Sequence, residues 1–160
     1  MNETNIFEKK SLKYVIGKSA DWNELAKDWV GMANARGGII ALGIENEDTQ
    51  PPPDQKIDKE LPGKVNKRIS ELTINVGVAS QIILSENGGE YIEVKVYPSI
   101  STIASTTDGK YYYRIADGCK PLLSDELSRL LNDKPSFIWE TRIVKSAKRN
   151  DYNANKFEAN

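Results

Sequence analysis

The sequence predicts an α+β fold: a single domain with a mixed or antiparallel sheet of about five or six strands and two or three packed helices. Three patterns predict it. Residues 22–34 have helical apolar spacing and lead through a glycine pair into an apolar run at 39–44. A second helical pattern covers residues 61–72, and strand-like runs follow it. With 160 residues, of which 39% are apolar, the chain has the size of one ordinary domain.

Composition limits the classes of function. Positive and negative side chains nearly cancel, with 22 Lys and Arg against 23 Asp and Glu, so any binding to nucleic acid must be local. No apolar run is long enough for a membrane span and the N-terminus is charged, so we expect a soluble cytoplasmic protein without a membrane partner. The lone Cys119 fits a reducing compartment. The absence of histidine excludes histidine-based triads and zinc sites.

The first half of the chain centres on the helix at residues 22–34. Residues 5–16 predict a strand followed by a turn, and Asp21 is placed to cap the helix after it. Trp22 and Trp29 lie seven apart on the apolar side, which favours the core over base stacking. The following apolar run predicts a strand buried on both faces. The glycines between them either end the helix or allow a ligand or another backbone to approach closely, and this candidate turn comprises Asn34, Gly37 and Gly38.

Beyond the apolar strand, the sequence alternates between turn signals and strand patterns. The acidic, proline-containing residues 45–58 predict an exposed loop, and the helix at 61–72 carries cations that we interpret as a solvated surface. Asn87-Gly88 is expected to join two strands as a hairpin. In the second strand, apolar residues alternate with polar ones, so one side of it is expected to face solvent or a bound ligand. A second hairpin is expected from 101–106 to 110–115, turning at Asp108-Gly109.

The last regular elements carry the candidate binding residues. In Lys110–Ile115, three tyrosines lie beside two cations, a combination that suits nucleic acid because rings stack on bases and cations meet phosphates. Tyrosine is also common in ordinary strands, so a nucleic-acid contact and a purely structural role both stay open as interpretations. Ser124 begins a final helix. We expect a domain at residues 1–133 and a partly ordered polar tail or linker at 134–160.

Three blocks of this sequence resemble the Schlafen AlbA-like DNA-binding domain family. Glu3, Glu8 and Lys10 fit its opening block, although Lys9 replaces an aromatic residue. Residues 30–38 (VGMANARGG) followed by Gly43-Ile44-Glu45 fit the central block, and residues 112–118 with Ser124-Asp125-Glu126 fit the third. The resemblance covers residues 3–131 and implies an α+β fold that binds nucleic acid.

The resemblance supports two hypotheses of function, and the near-neutral charge and the polar tail support a third. We prefer a nucleic-acid-binding module, for DNA or RNA, of the kind found in bacterial transcriptional regulators. Such a module needs no cofactor. Its candidate phosphate contacts are Lys10, Arg36, Lys110, Arg114 and Lys120. Under this hypothesis we do not expect an enzyme. Some Schlafens, however, cleave structured RNA with a cluster of three carboxylates. That alternative assigns both catalysis and the binding of Mg²⁺ or Mn²⁺ to Glu3, Glu8 and Glu45. The third hypothesis is a protein-interaction or sensory module. A homo-oligomer and a further domain downstream of this chain are compatible with each.

Overall fold

The computed structural model describes residues 7–115 and 118–132. It contains two units, the first formed by Met1–Ser99 with Ala104–Leu122 and the second by Ile100–Ile103 with Leu123–Asn160. In the second unit, residues 124–132 are helical, and the Leu123 N–H donates to the Glu126 carboxylate at 3.1 Å, which satisfies an amide at the helix start. The expected tail from residue 134 lies outside the described residues.

The first unit contains eight strands and two long helices among the described residues. In chain order they are β1 (Phe7–Lys10), α1 (Trp22–Asn34), β2 (Gly38–Leu42), α2 (Leu61–Leu72), β3 (Thr73–Ile74), β4 (Val78–Leu84), β5 (Glu90–Val96), β6 (Ser105–Thr106), β7 (Tyr112–Ile115) and β8 (Gly118–Pro121). A short 3-10 turn, Leu12–Tyr14, follows β1.

The largest sheet has the strand order β1-β2-β5-β4. β1 and β2 run parallel, whereas β5 is antiparallel to both of its neighbours. The other strands form two-stranded ribbons, β3 with β6 and β7 with β8. The α+β fold with a mixed sheet is therefore confirmed, with more and shorter strands than the sequence predicted.

Helix α1 forms the centre of the core because its apolar residues recur every three or four positions. Asp21 caps it by accepting a hydrogen bond from the Glu24 N–H at 3.1 Å, as predicted. Trp29 is fully buried, and Trp22 is half-buried against the same core. Both tryptophans are thus core residues, and the guanidinium of Arg68 lies 5.4 Å from the Trp22 ring.

The glycine exit from α1 is a close approach between two backbones. Gly37 has φ +74°, and its N–H donates to the Met32 carbonyl at 2.7 Å, which ends the helix. A Cβ at Gly37 would lie 2.5 Å from the Val96 carbonyl oxygen of β5. Both alternatives hold at this turn, because Gly37 ends the helix and also allows the backbone of β5 to approach closely.

Residues 45–58 and helix α2 complete the packing around the sheet. The side chain of Gln55 donates to the carbonyls of Gly43 and Glu90 at 3.0 and 2.8 Å, which fastens the loop to β5. Helix α2 has the bounds that its apolar spacing predicted, and its inward side chains, Leu61, Val65 and Ile69, are buried.

The two predicted hairpins had different outcomes. β4 and β5 pair through the Asn87-Gly88 turn, and β5 buries its valine and isoleucine side chains while Glu93 and Lys95 lie on the other side. The prediction of the second hairpin was wrong. The turn at Asp108-Gly109 forms, but β6 pairs with β3, and β7 pairs with β8. The sequence missed β8 because Gly118-Cys119-Lys120-Pro121 has low strand propensity.

No helix within the described residues is long and apolar enough to cross a membrane.

Candidate nucleic-acid interface

A buried cluster of alternating charges joins β1, α1 and β7. The Glu8 carboxylate binds the Arg114 guanidinium, which also donates to the Phe7 carbonyl at 3.3 Å. The Lys10 ammonium lies 3.6 Å from the other Glu8 oxygen and 3.3 Å from Asp28 Oδ2. Two cations thus face two carboxylates, so the cluster has no net formal charge.

Strand register explains why these groups meet. Glu8 and Lys10 are two apart on β1, so they point to the same side of the sheet. Their partners on β2 are Ile40 and Leu42, which are buried in the core. β1 therefore directs both charges towards α1, where Asp28 lies one residue before the buried Trp29.

Burial and neighbouring charges shift the proton affinities within the cluster. Loss of solvent raises the pKa of Asp28 to about 6, against the opposing attraction of Lys10, and the Glu8 charge adds to the rise. For Lys10, burial would lower the pKa, but the carboxylates of Asp28 and Glu8 outweigh it and raise the pKa. Burial likewise opposes a charged Arg114, and the bond to Glu8 overcomes it and raises the pKa of the guanidinium.

The thiol of Cys119 is a packing group at the edge of this cluster. It lies 3.8 Å from the Asp28 carbonyl oxygen, and a Cβ at Gly31 would be 2.3 Å from its sulfur. Burial raises the pKa of Cys119 to about 12, with the Asp28 charge contributing. Since the thiolate is the nucleophilic form, this cysteine is poorly suited to covalent chemistry.

A cleft of about 150 Å³ opens where β1 and β2 end. Its lining is rich in lysine, because Lys9, Lys10 and Lys13 fall within five positions of the sequence. The Lys10 ammonium lies 5.2 Å from the centre of the Tyr14 ring. Lys9 faces away from the charge cluster and donates to the carbonyls of Asn46 and Asp48, both at 2.8 Å, which holds the loop after Glu45. We call this site the lysine cleft; it is lined by Lys9, Lys10, Ser11, Lys13, Tyr14, Glu45, Asn46 and Glu47.

The β7–β8 ribbon presents a second surface beside the cluster. Tyr113 is directly opposite Lys120, so the ring and the ammonium stem lie on the same side of the ribbon. Ile115, two residues along from Tyr113, is 52% exposed. Tyr112 and Arg114 point the other way, into the molecule. We call Tyr113, Ile115 and Lys120 the ribbon face.

The predicted phosphate contacts occupy different environments. Arg36 and Lys120 are exposed, and the side chain of Lys10 is 15% exposed at the lysine cleft. Arg114 is fully buried against Glu8, so its guanidinium does not face solvent in this conformation. The Lys110 ammonium lies 3.8 Å from the Asp108 carboxylate, and Lys110 lines a cavity of about 440 Å³ together with Asp21 and Glu24. Among the five, Lys10 and Arg114 belong to the charge cluster, and Lys120 follows Cys119 on β8, at the edge of the cluster.

Two of the three predicted carboxylates, Glu8 and Glu45, lie within the described residues. Glu3 lies outside the described residues. Glu8 is opposite Ile40 on the sheet and is engaged by Arg114, whereas the exposed Glu45 comes after the end of β2, in the lysine cleft. Within residues 7–115 and 118–132, no three acidic or cysteine side chains form a group that could hold a metal ion. The three-carboxylate metal site therefore stays a prediction.

The predicted turn residues have structural contacts. The Asn34 amide donates to the carbonyls of Ala104 and Tyr112 at 2.9 and 3.0 Å, and its oxygen accepts from the Ala104 N–H at 2.7 Å. Asn34 thereby positions β7 against the end of α1. Gly38 begins β2 and pairs with Val96, beside the close approach of Gly37.

Sequence reasoning missed three side chains that shape these surfaces. Lys13 and Tyr14 belong to the lysine cleft, and the signal for them was the density of lysines in residues 9–13. Asp28 was missed although it follows Leu25 by three positions, which places a carboxylate on the border of the apolar side of α1.

Comparison with known proteins identifies similar sequences and folds. A family model described as "Schlafen, AlbA_2" matches residues 3–123. The crystal structure of the DIP2311 protein from Corynebacterium diphtheriae has a similar fold, with a TM-score of 0.51 and 18% sequence identity. That match covers 73% of this chain and 22% of the other, so this chain spans about a fifth of the length of that protein. No curated protein matches the chain.

Proposed function

Because this chain belongs to the Schlafen AlbA_2 family, we propose that it is a nucleic-acid-binding module whose contact surface consists of the ribbon face and the lysine cleft. The single observation that carries the proposal is the cross-strand pair of Tyr113 and Lys120 on the ribbon face. It places an aromatic ring and a cation side by side on the outward side of a strand pair.

This arrangement suits a nucleic-acid strand on physical grounds. An outward-facing tyrosine ring can stack on a base, and base–aromatic stacking contributes about 1–3 kcal/mol per base. Lys120, next to it, can meet the phosphate of the stacked nucleotide. Ile115 extends the apolar part of the surface. The ribbon face therefore supplies stacking and charge without requiring base-specific hydrogen bonds.

The lysine cleft adds further cations, and Lys10 connects it to the charge cluster. Lys13 is exposed, and Lys10 is held by Glu8 and Asp28 with its ammonium near the Tyr14 ring. Within the proposal, Lys13 supplies the more accessible phosphate contact. Lys10 orders the cleft and reaches the backbone of a bound strand at its edge.

In this proposal Arg114 and Glu8 position the surface. Their buried ion pair links β7 to β1, and Asn34 links β7 to α1. Together these contacts hold the ribbon that carries Tyr113. A module of this kind can serve a regulatory protein on either DNA or RNA.

The proposal is tested by fluorescence anisotropy with labelled single-stranded RNA, single-stranded DNA and duplex DNA of mixed sequence. We expect Tyr113→Ala and Lys120→Ala each to raise the Kd roughly five- to tenfold, because each removes about 1 kcal/mol or more of contact energy. The matched control is Lys59→Ala, which removes an exposed lysine from the loop before α2.

We expect the control to bind within twofold of the unaltered chain. The absence of binding to all three probes at low salt contradicts the proposal. An equal loss of affinity in Lys59→Ala would show that binding is diffuse and does not use the ribbon face.

A further inference from the structure

The two edges of the four-stranded sheet differ sharply. β1 at one edge is four residues long and carries three charged side chains, FEKK. β4 at the other edge is seven residues long, VASQIIL, without a charge, a proline or a glycine. Charges and short length are the usual devices that prevent edge strands from pairing with another chain. β1 has them, and β4 has none.

The outer side of β4 is also accessible in the described part of the chain. Its strand partner there is β5 alone. None of its seven residues is fully buried, although five of them are apolar, and Leu84 is 67% exposed. Ser80 faces α2 and donates to the Asn66 side chain at 2.6 Å, so α2 covers one face of the strand while its edge stays open.

We propose that a second copy of this chain pairs with β4, antiparallel and edge to edge, to form a homodimer with one continuous sheet. The strand order would be β1-β2-β5-β4 followed by the same strands of the second copy in reverse. This inference concerns a surface that the proposed nucleic-acid contacts do not use.

Strand geometry determines the register of such a pair. Side chains alternate between the two sides of a sheet, so residues directly opposite each other must point to the same side. A two-fold axis perpendicular to the sheet therefore lies midway between the two copies of one residue. We place it at Gln81, the central residue of β4, because this register pairs the whole strand. Gln81 then faces its own copy, and Val78 faces Leu84 of the second copy.

The chemistry of β4 favours a second copy over an unrelated peptide. In the register centred on Gln81, every pair within the strand is uncharged, so no like charges oppose each other. The exposed Leu84 covers the half-buried Val78 of the other copy, and Ser80 faces Ile82. The net charge of −1 per chain produces little repulsion between two copies.

Cysteine cross-linking tests the register directly. Directly opposite residues in an antiparallel pair have Cα atoms about 4.5–5.5 Å apart, within the range of a disulfide. We expect Gln81→Cys to form a covalent dimer under mild oxidation of the full chain. The matched control is Lys95→Cys, which is exposed on the same side of β5. In the proposed dimer the two β5 strands are about 14 Å apart, three strand spacings, which is too far for a disulfide.

Sedimentation velocity across a range of protein concentrations tests the association without a cross-link. We expect a dimer whose Kd rises roughly fivefold in Gln81→Glu, because two carboxylates would meet on the axis, each beside Glu93 of β5, and changes less than twofold in Gln81→Thr. A chain that stays monomeric overturns the proposal. So does a dimer that Gln81→Glu leaves unchanged, or equal cross-linking of the two cysteine variants. No nucleic acid is present, so this outcome is independent of the proposed binding function.

Discussion

At the residue scale, the buried charges of Glu8, Lys10, Asp28 and Arg114 determine how β1, α1 and β7 come together. Removing two charges from water costs about as much free energy as their attraction returns, so such pairs add little net stability. Such pairs restrict the arrangement of their elements more than they stabilise the fold, because a misplaced partner leaves an uncompensated charge in the interior. We infer that the cluster selects the arrangement of these elements, and with it the position of Tyr113.

Asp28 makes the free energy of unfolding depend on pH. Its folded-state pKa of about 6 lies above the ordinary aspartate value of about 3.9, so folding favours the protonated form. The stabilisation is complete below about pH 4 and is lost as the pH rises through about 6. Relative to Asp28→Asn, the unaltered chain should lose about 2–3 kcal/mol of stability between pH 4 and pH 7.

Urea unfolding of both proteins at intervals between pH 4 and pH 7 measures this difference. The comparison with Asp28→Asn cancels the titration of the other carboxylates, which the two chains share. A stability difference that does not change with pH would show that Asp28 ionises normally in the folded protein.

At the element scale, two glycines with the same backbone angle separate conformational strain from close packing. Gly17 and Gly37 both have φ +74°. A Cβ at Gly17 would meet no atom within 4 Å, whereas one at Gly37 would meet the Val96 carbonyl at 2.5 Å and Pro98 at 2.9 Å. The turn after α1 is therefore constrained both by its own angle and by the neighbouring strand β5.

Alanine at these two positions should destabilise the protein to different degrees. We expect Gly17→Ala to cost about 1 kcal/mol, since alanine is strained at positive φ. Gly37→Ala should cost about 2 kcal/mol more, because β5 must also move to accommodate the methyl group. Chemical denaturation measures both values, and equal losses would mean that β5 moves aside without cost.

At the scale of the whole molecule, local charge must account for any binding to nucleic acid. The formal net charge is −1, so no long-range field concentrates a polyanion at the surface. The proposed surface offers about three accessible cations, fewer than the six to ten phosphate contacts of strongly salt-dependent proteins. We therefore expect a moderate electrostatic contribution to the affinity.

The dependence of the Kd on salt tests this expectation. With about three phosphate contacts, raising monovalent salt from 50 to 200 mM should weaken binding roughly 20- to 40-fold. The slope of log Kd against log salt should be shallower by about one in Lys120→Ala. A Kd that is independent of salt would exclude phosphate contacts as the source of affinity.

The sequence by itself determined the elements whose signals are local. The spacing of apolar residues predicted α1 and α2, Asp21 predicted the start of α1, and Asn87-Gly88 predicted the β4–β5 hairpin, because each depends on residues close together in the chain. The residues that fit the family were also visible in the sequence, including Glu8, Lys10 and the tyrosines of β7, and Lys120 was visible as a candidate phosphate contact.

Only the tertiary structure decided which of these residues meet. The sequence treated Arg114 as a phosphate contact, but the fold buries it against Glu8, which lies 106 positions earlier in the chain. Pairing of β7 with β8, which places Tyr113 beside Lys120, was missed for the same reason. Such contacts depend on which strands become neighbours, and local propensity carries little information about that choice. The candidate residues were thus readable from the sequence, whereas their division into buried supports and an exposed surface required the fold.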